Sequence, residues 1–354
     1  MATLLYEEIG DHEALALLPE PAAGELYPVP EDASLGRLRL EGGGEIADLR
    51  LRYETYGRLS PARDNAVVVF HALTGSAHAA GVYTGEVLAR LSPYERAFGA
   101  RGWWSEVVGP GRTLDTNRYF VISANVPGSC YGSSGPAADP GFPQLSIRDM
   151  VRAQAALLDR LGVPAARVVG GSMGGMLALE FALTYPERTQ ALAVFAAPAR
   201  QTPWARAWQH LQRTAARRGD LALARAVSML SYRHPRGFDE RWSDDPARAE
   251  SYLDYQGSKF TGRFSPASYE LLTLAMDGHD VGRDRGGVEA ALARLEAPAL
   301  FVGIDTDLLY PAEEVLRTAA LARAEYAEIK SAHGHDGFLI ESDQVGRLLR
   351  AFGF

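Results

Sequence analysis

Gly170-Gly171-Ser172-Met173-Gly174 sets a serine among glycines, with the β-branched run "RVV" before it and the apolar run "MLALEFAL" close behind. A serine hydroxyl is a poor nucleophile near neutral pH. It needs a base within hydrogen-bond reach and an acid to orient that base. Candidates for both lie downstream. "ALFVGIDTDLLYP" ends an apolar run with Asp305 and Asp307, and "SAHGHDGFL" holds His333, His335 and Asp336. Nucleophile, acid, histidine is the chain order that accompanies a G-x-S-x-G serine on a strand-turn-helix scaffold. The chemistry predicted is acyl transfer through a covalent acyl-serine. Spacing alone leaves open which aspartate and which histidine serve.

A serine on such a turn adopts strained backbone angles, so its neighbours must be small. The helix that follows aims its N-terminus at the hydroxyl and favours negative charge there. The backbone N–H of Met173 is therefore a candidate oxyanion donor. The loop after the first buried strand, in "VVVFHALTGSAH", is expected to supply a second donor, with Leu73 as the candidate. His71 precedes the serine in chain order and is read as shaping that loop. His12, His210 and His234 are read as surface or packing residues. His333 and His335 lack a nearby third ligand of defined spacing, so no metal is expected.

These groups need a scaffold. Short apolar runs bounded by turn residues recur at "AVVVF" (66–70), "YFVISA" (119–124), "RVVGG" (167–171), "ALAVFAA" (191–197) and "ALFVGI" (299–304), with "EYAEIK" (325–330) more mixed. They read as buried strands of a parallel sheet. "IADLRLRYETYGRL" (46–59) alternates apolar and polar residues and reads as a half-exposed antiparallel strand. Helical patterns lie between the runs. In "SIRDMVRAQAALLDRLG", Ser146 with Asp149 predicts an N-terminal cap and Gly162 a C-terminal stop. Strand-helix alternation predicts a doubly wound α/β sheet. Between about residues 200 and 286 strand-like runs give way to helical ones such as "PWARAWQHLQRTAARRG" and "LALARAVSMLSYR", which predicts a helical insertion over the sheet. Residues 1 to about 45 read as a loosely structured lead-in.

Composition narrows the classes. The chain has 354 residues, 47% apolar, enough for a large core without disulfides, and Cys130 is its only cysteine. A net charge of −8 with no basic run argues against nucleic-acid binding. No apolar run is long enough to span a bilayer. "MATLLYEEIGDHEALALLPE" lacks the basic start and unbroken apolar core of a signal peptide, so a cytoplasmic protein is expected.

The motifs together resemble the homoserine O-acetyltransferase family, acyl-CoA-dependent enzymes of methionine biosynthesis. The resemblance rests on "HALTGSAH" (71–78), "GWW" (102–104), "DTNRYFVISANVPGSCYGSSGP" (115–136), "GGSMGGMLALEFALTYPER" (170–188), "SYLDYQGSKFTGRFSPASYELLTLAMDGHDVGR" (251–283), "DTDLLYP" (305–311) and "GHDGFL" (334–339). It implies an α/β-hydrolase fold, with a core of residues 1–199 and 287–354 and a helical lid of residues 200–286. It assigns the nucleophile to Ser172, the acid to Asp307 and the histidine to His335. It further implies that Arg213, in "HLQRTAA", binds the homoserine carboxylate and Asp336 its ammonium. Acetyl-CoA is implied as co-substrate with no other cofactor, and a homodimer is implied. The segment after "SSGP" is shorter than is usual in the family, which bears on acyl specificity, and "GSCYG" stands where the family usually has "GGCYG". A succinyl donor, a serine acceptor and an esterase with the same three residues are the rival activities.

Overall fold

The computed structural model describes residues 24–354. His12 and the N-terminal stretch discussed above lie outside them. Eight strands form one sheet: β1 (Glu31–Ser34), β2 (Arg50–Tyr56), β3 (Ala66–Phe70), β4 (Phe120–Ala124), β5 (Ala166–Gly171), β6 (Thr189–Phe195), β7 (Ala299–Ile304) and β8 (Glu325–Ile329), in spatial order β1-β2-β4-β3-β5-β6-β7-β8. The pairings from β4 through β8 are parallel, while β1–β2 and β2–β4 are antiparallel. Each apolar run singled out in the sequence falls on one of these strands.

Burial explains why. All five residues of β3 and all six of β7 are buried, as a sheet covered on both faces requires. Each such Val, Leu or Phe contributes about 1.5–3 kcal/mol relative to exposure. By contrast β2 alternates partly, with Arg50 exposed and Leu51 buried, because it runs antiparallel near one edge.

One expectation needs correction. Residues 24–46 are more than a loose lead-in. Glu31–Ser34 forms the edge strand β1, with Ala33 paired to Leu51, and residues 38–39 pair with 45–46 in a small separate hairpin. The sequence "EDAS" has weak strand propensity. Its backbone pairing with β2 supplies the order that its side chains do not.

The helices that matter for the site are α1 (Ile147–Leu161) and α2 (Met173–Thr184), then α3 (Pro203–Arg217), α4 (Leu221–Tyr232), α5 (Pro235–Trp242), α6 (Ala247–Arg263) and α7 (Pro266–Asp277), all five between β6 and β7, and finally α8 (Ala312–Ala322) and α9 (Ser342–Phe352). On α1 the predicted caps form: Ser146 Oγ accepts from Asp149 N, Asp149 Oδ2 accepts from Ser146 N, and Gly162 closes the helix at φ 69°. Residues 200–286 carry α3 to α7 and no strand of the main sheet.

Strand order reverses at β3. The chain steps from β3 to β4 on one side and then places β5 on the other. In an open α/β sheet the crevice beyond the strand C-termini at such a switch point is where ligands bind. Ser172 follows β5 and the His71–His78 loop follows β3, so both reach that crevice.

Candidate active site

Ser172 sits at φ 57°, ψ −125°, a conformation side chains rarely adopt. Its neighbours allow it. A Cβ on Gly170 would meet Gly174 O at 2.3 Å, one on Gly171 the Phe338 ring at 2.4 Å, and one on Gly174 Phe70 O at 2.2 Å. The glycines are thus demanded by close approach of β3, β5 and α2, and the serine is held in a tight turn. Ser172 N donates to Phe195 O at 2.9 Å, which ties the turn to β6.

Three side chains meet here. His335 Nε2 lies 2.8 Å from Ser172 Oγ, and its Nδ1 lies 2.6 Å from Asp307 Oδ2. All three residues are buried. Asp307 Oδ1 accepts from Leu309 N at 2.8 Å and from Tyr310 N at 2.9 Å, so backbone donors fix the carboxylate before the imidazole is counted. Burial disfavours the charged form of His335. The charge and hydrogen bond of Asp307, with the charge of Asp336, outweigh it and raise the imidazole pKa above its ordinary value.

The alternatives left open by spacing stand elsewhere. Asp305 Oδ1 accepts from Ser331 N at 3.0 Å and braces the loop. The His333 backbone caps on Ser331 Oγ, and burial and Arg233 lower the pKa of its ring. His234 caps the start of α5 and His210 is exposed, as expected of packing and surface residues.

The oxyanion candidates are adjacent. Because a Cβ on Gly174 would also lie 3.0 Å from His71 O, the first turn of α2 packs directly on the start of the His71–His78 loop. Met173 N opens α2 and has no intrahelical acceptor. Leu73 N has no acceptor among the described residues. His71 is read correctly as a loop former. Its Nδ1 faces Ala72 O at 2.8 Å and its Nε2 accepts from Val126 N at 3.1 Å, and burial lowers its pKa to about 4.

The substrate-binding residues fall out differently. Asp336 adjoins His335, and its Oδ2 faces Arg233 at 3.3 Å. Arg213 is not a free guanidinium. It is buried and ion-paired with Asp277 of α7, with Nη1 unpartnered. No contact joins it to Ser172, His335 or Asp336 among the described residues. Its charge is already matched by Asp277. Arg225 of α4 lies over the rings of Phe260 at 5.1 Å and Tyr232 at 6.0 Å, and it forms no ion pair among the described residues. Tyr232 in turn lies 5.7 Å from the His335 ring. Burial, then the charge of Arg263, depresses the Arg225 pKa, while Asp336 opposes that shift. Arg263 itself donates to Thr74 Oγ1 at 3.2 Å. The sequence signal was the spacing in "ARAVSMLSYR": Arg225, Ser228 and Tyr232 share one face of α4.

Comparison with known proteins bears on the fold and the family. A family model described as the alpha/beta hydrolase fold matches residues 65–341. The chain is 56% identical to a homoserine O-acetyltransferase of Thermus thermophilus, over 99% of this chain and all of that one, and 43% identical to one of Clavibacter michiganensis, over 93% and 92%. Among solved structures it matches a homoserine O-acetyltransferase of Staphylococcus aureus at TM-score 0.79 and 32% identity, covering 92% of this chain and 95% of that one. It also matches esterase E22 at TM-score 0.80 but only 21% identity, a likeness of fold alone, covering 92% and 99%. The chain belongs to the homoserine O-acetyltransferase family, built on the α/β-hydrolase fold.

Proposed function

We propose that the protein transfers the acetyl group of acetyl-CoA to the hydroxyl of L-homoserine by a ping-pong route. The observation that carries this is the hydrogen-bonded line Ser172–His335–Asp307 in a chain 56% identical, end to end, to a named homoserine O-acetyltransferase. His335 takes the Ser172 proton as Oγ attacks the thioester carbon. The N–H groups of Leu73 and Met173 receive the oxyanion, where losing one such donor typically costs about 10²–10³ in rate. The C–S bond breaks, His335 returns the proton to sulfur, and CoA leaves. The homoserine hydroxyl then gives its proton to His335 and attacks the acetyl carbon. The bond to Ser172 breaks as its oxygen is reprotonated. Asp307 stays ionised throughout and supports the imidazolium.

Transfer in place of hydrolysis requires that water be excluded and the acceptor held. Helices α3 to α7 act as the lid. Arg225 takes the homoserine carboxylate and Asp336 its ammonium. Acetyl-CoA is a co-substrate, and no other cofactor or metal enters the scheme. The place of action is the cytoplasm, within methionine biosynthesis; none of the described helices is long and apolar enough to cross a membrane. A second copy of the chain covers the lid, where Trp204, Leu211, Leu223, Leu230 and Tyr255 are exposed, and light scattering tests for that dimer.

The activity is tested by steady-state kinetics with acetyl-CoA against succinyl-CoA, each with homoserine and with serine. Parallel lines and the highest kcat/KM for acetyl-CoA with homoserine are expected. A higher value for succinyl-CoA or serine overturns the substrate assignment.

A further inference from the structure

The loop that offers Leu73 begins and ends on a histidine. His71 has one ring nitrogen on a carbonyl and the other on a backbone N–H, so it is neutral. His78, at the far end, is buried and faces acceptors on both sides: Glu54 Oε2 at 3.1 Å from Nδ1 and Ala100 O at 2.8 Å from Nε2. Both ring nitrogens of His78 are thus engaged.

Glu54 on β2 has no exposed surface. Its carboxylate also receives the hydroxyls of Tyr83 and, at 2.5 Å, Tyr56. The Tyr56 oxygen accepts from Ala79 N at 2.9 Å and Ala80 N at 3.1 Å, and its hydroxyl faces Glu54, with Ala77 O at 3.2 Å beside it. Tyr83 stacks on the His78 ring at 3.7 Å. Three side chains, His78, Tyr83 and Tyr56, thus converge on the Glu54 carboxyl group.

This cluster grips the second half of the loop. Besides Ala79 and Ala80, Ala77 N donates to Asn125 Oδ1 at 2.7 Å, and Trp103 Nε1 holds Ser76 O at 2.9 Å. The first half is held by His71 and by the turn from Gly75 N to Ala72 O at 2.9 Å. Leu73 and Thr74 are left between the two anchors. We propose that the buried His78–Glu54 pair is a positioning device for the acyl-transfer reaction, holding the His71–His78 loop so that Leu73 N–H meets the oxyanion; this rests on the acetyl-transfer reading above. Neither residue touches the reacting atoms. A buried polar cluster is a costly way to fill a core. A loop whose N–H must be placed within a few tenths of an ångström explains its presence.

The test uses Glu54→Gln and Tyr83→Phe in the full chain, with CoA release followed in the first half-reaction. Glu54→Gln sets an amide N–H against donors and loosens His78. Its acylation kcat is expected to fall about 10²-fold, the scale for a misplaced catalytic group, with the acetyl-CoA KM nearly unchanged because an oxyanion donor acts only in the transition state. Tyr83→Phe keeps the pair and is expected to lose less than about tenfold. Both variants are checked by thermal melting. If Glu54→Gln does not fold, Tyr56→Phe decides: it removes the acceptor of Ala79 N and Ala80 N in the same cluster, and the same fall in acylation kcat is expected. Wild-type acylation in a folded Glu54→Gln or Tyr56→Phe enzyme overturns the proposal. A wild-type protein that releases no CoA contradicts the acetyl-transfer reading itself, a separate result.

Discussion

Ser172 and His335 are 163 positions apart in the chain, yet Oγ and Nε2 stand 2.8 Å from each other. Two glycine-dependent turns close that gap. One is the Ser172 turn itself. The other is Gly334, at φ 63°, where a Cβ would meet Tyr232 O at 2.6 Å, so the histidine loop is pressed onto the end of α4.

Replacing the nucleophile separates chemistry from folding. Ser172→Ala is expected to lower acetyl transfer by at least about 10⁴-fold, the scale for losing one member of such a set. Alanine fits the turn as serine does, so the melting temperature should move by only a few degrees. CoA release and a thermal melt check the two halves of this statement.

The pH profile reports on Asp307. His335 must be neutral to act as a base, and its pKa is raised above the ordinary 6.5. The rising limb of acylation is therefore expected above that value. In Asp307→Asn the negative charge that favours the imidazolium is gone while burial remains. The limb should move to lower pH as the overall rate drops. A limb that stays in place shows that Asp307 does not set the imidazole's charge.

Arg225 and Arg213 make opposite predictions. Arg225→Ala should leave the CoA burst intact and weaken homoserine use by about 2–5 kcal/mol, the scale for removing one partner of a buried charged contact. Arg213→Ala should instead strand Asp277 without its partner. That costs about 3–5 kcal/mol of stability, read by denaturant unfolding, with the homoserine KM little changed. The reverse pattern restores Arg213 to the substrate.

Acid should destabilise the fold through two buried histidines. Burial lowers both His71 and His279 from 6.5 to about 4. The unfolded chain binds more protons than the native one between those values, so stability falls as pH drops from about 6.5 towards 4 and is flat above that window on their account. The combined loss is on the order of a few kcal/mol. The His279→Gln variant should show a shallower fall in urea unfolding over the same range.

Much of the fold is legible in the sequence. The strands β3 to β7 are continuous apolar runs because both faces of the sheet are covered, and the α1 caps are short-range chemistry that residues 146–162 contain whole. The Ser172 turn was legible because glycine is the only residue its packing admits. Residues 31–34 were not, since their order comes from backbone pairing with β2. Nor could the sequence separate Arg213 from Arg225. Both lie on helices of similar pattern, and only the position of Asp277 decides which one arrives already neutralised. Asp307 and His335 were separated from Asp305 and His333 by resemblance; the folded loop does so by geometry, since Asp305 is spent on Ser331 N.

The central claim is an acetyl group carried on Ser172, and intact-mass spectrometry tests it most directly. The protein is mixed with acetyl-CoA alone, quenched in acid, weighed and digested, and a second aliquot receives homoserine before the quench. One added acetyl group, mapped to the peptide containing Ser172 and removed by homoserine far faster than by water with O-acetylhomoserine formed in equal amount, is the predicted result. No adduct, an adduct on another residue, or discharge at the same rate with and without homoserine would contradict it.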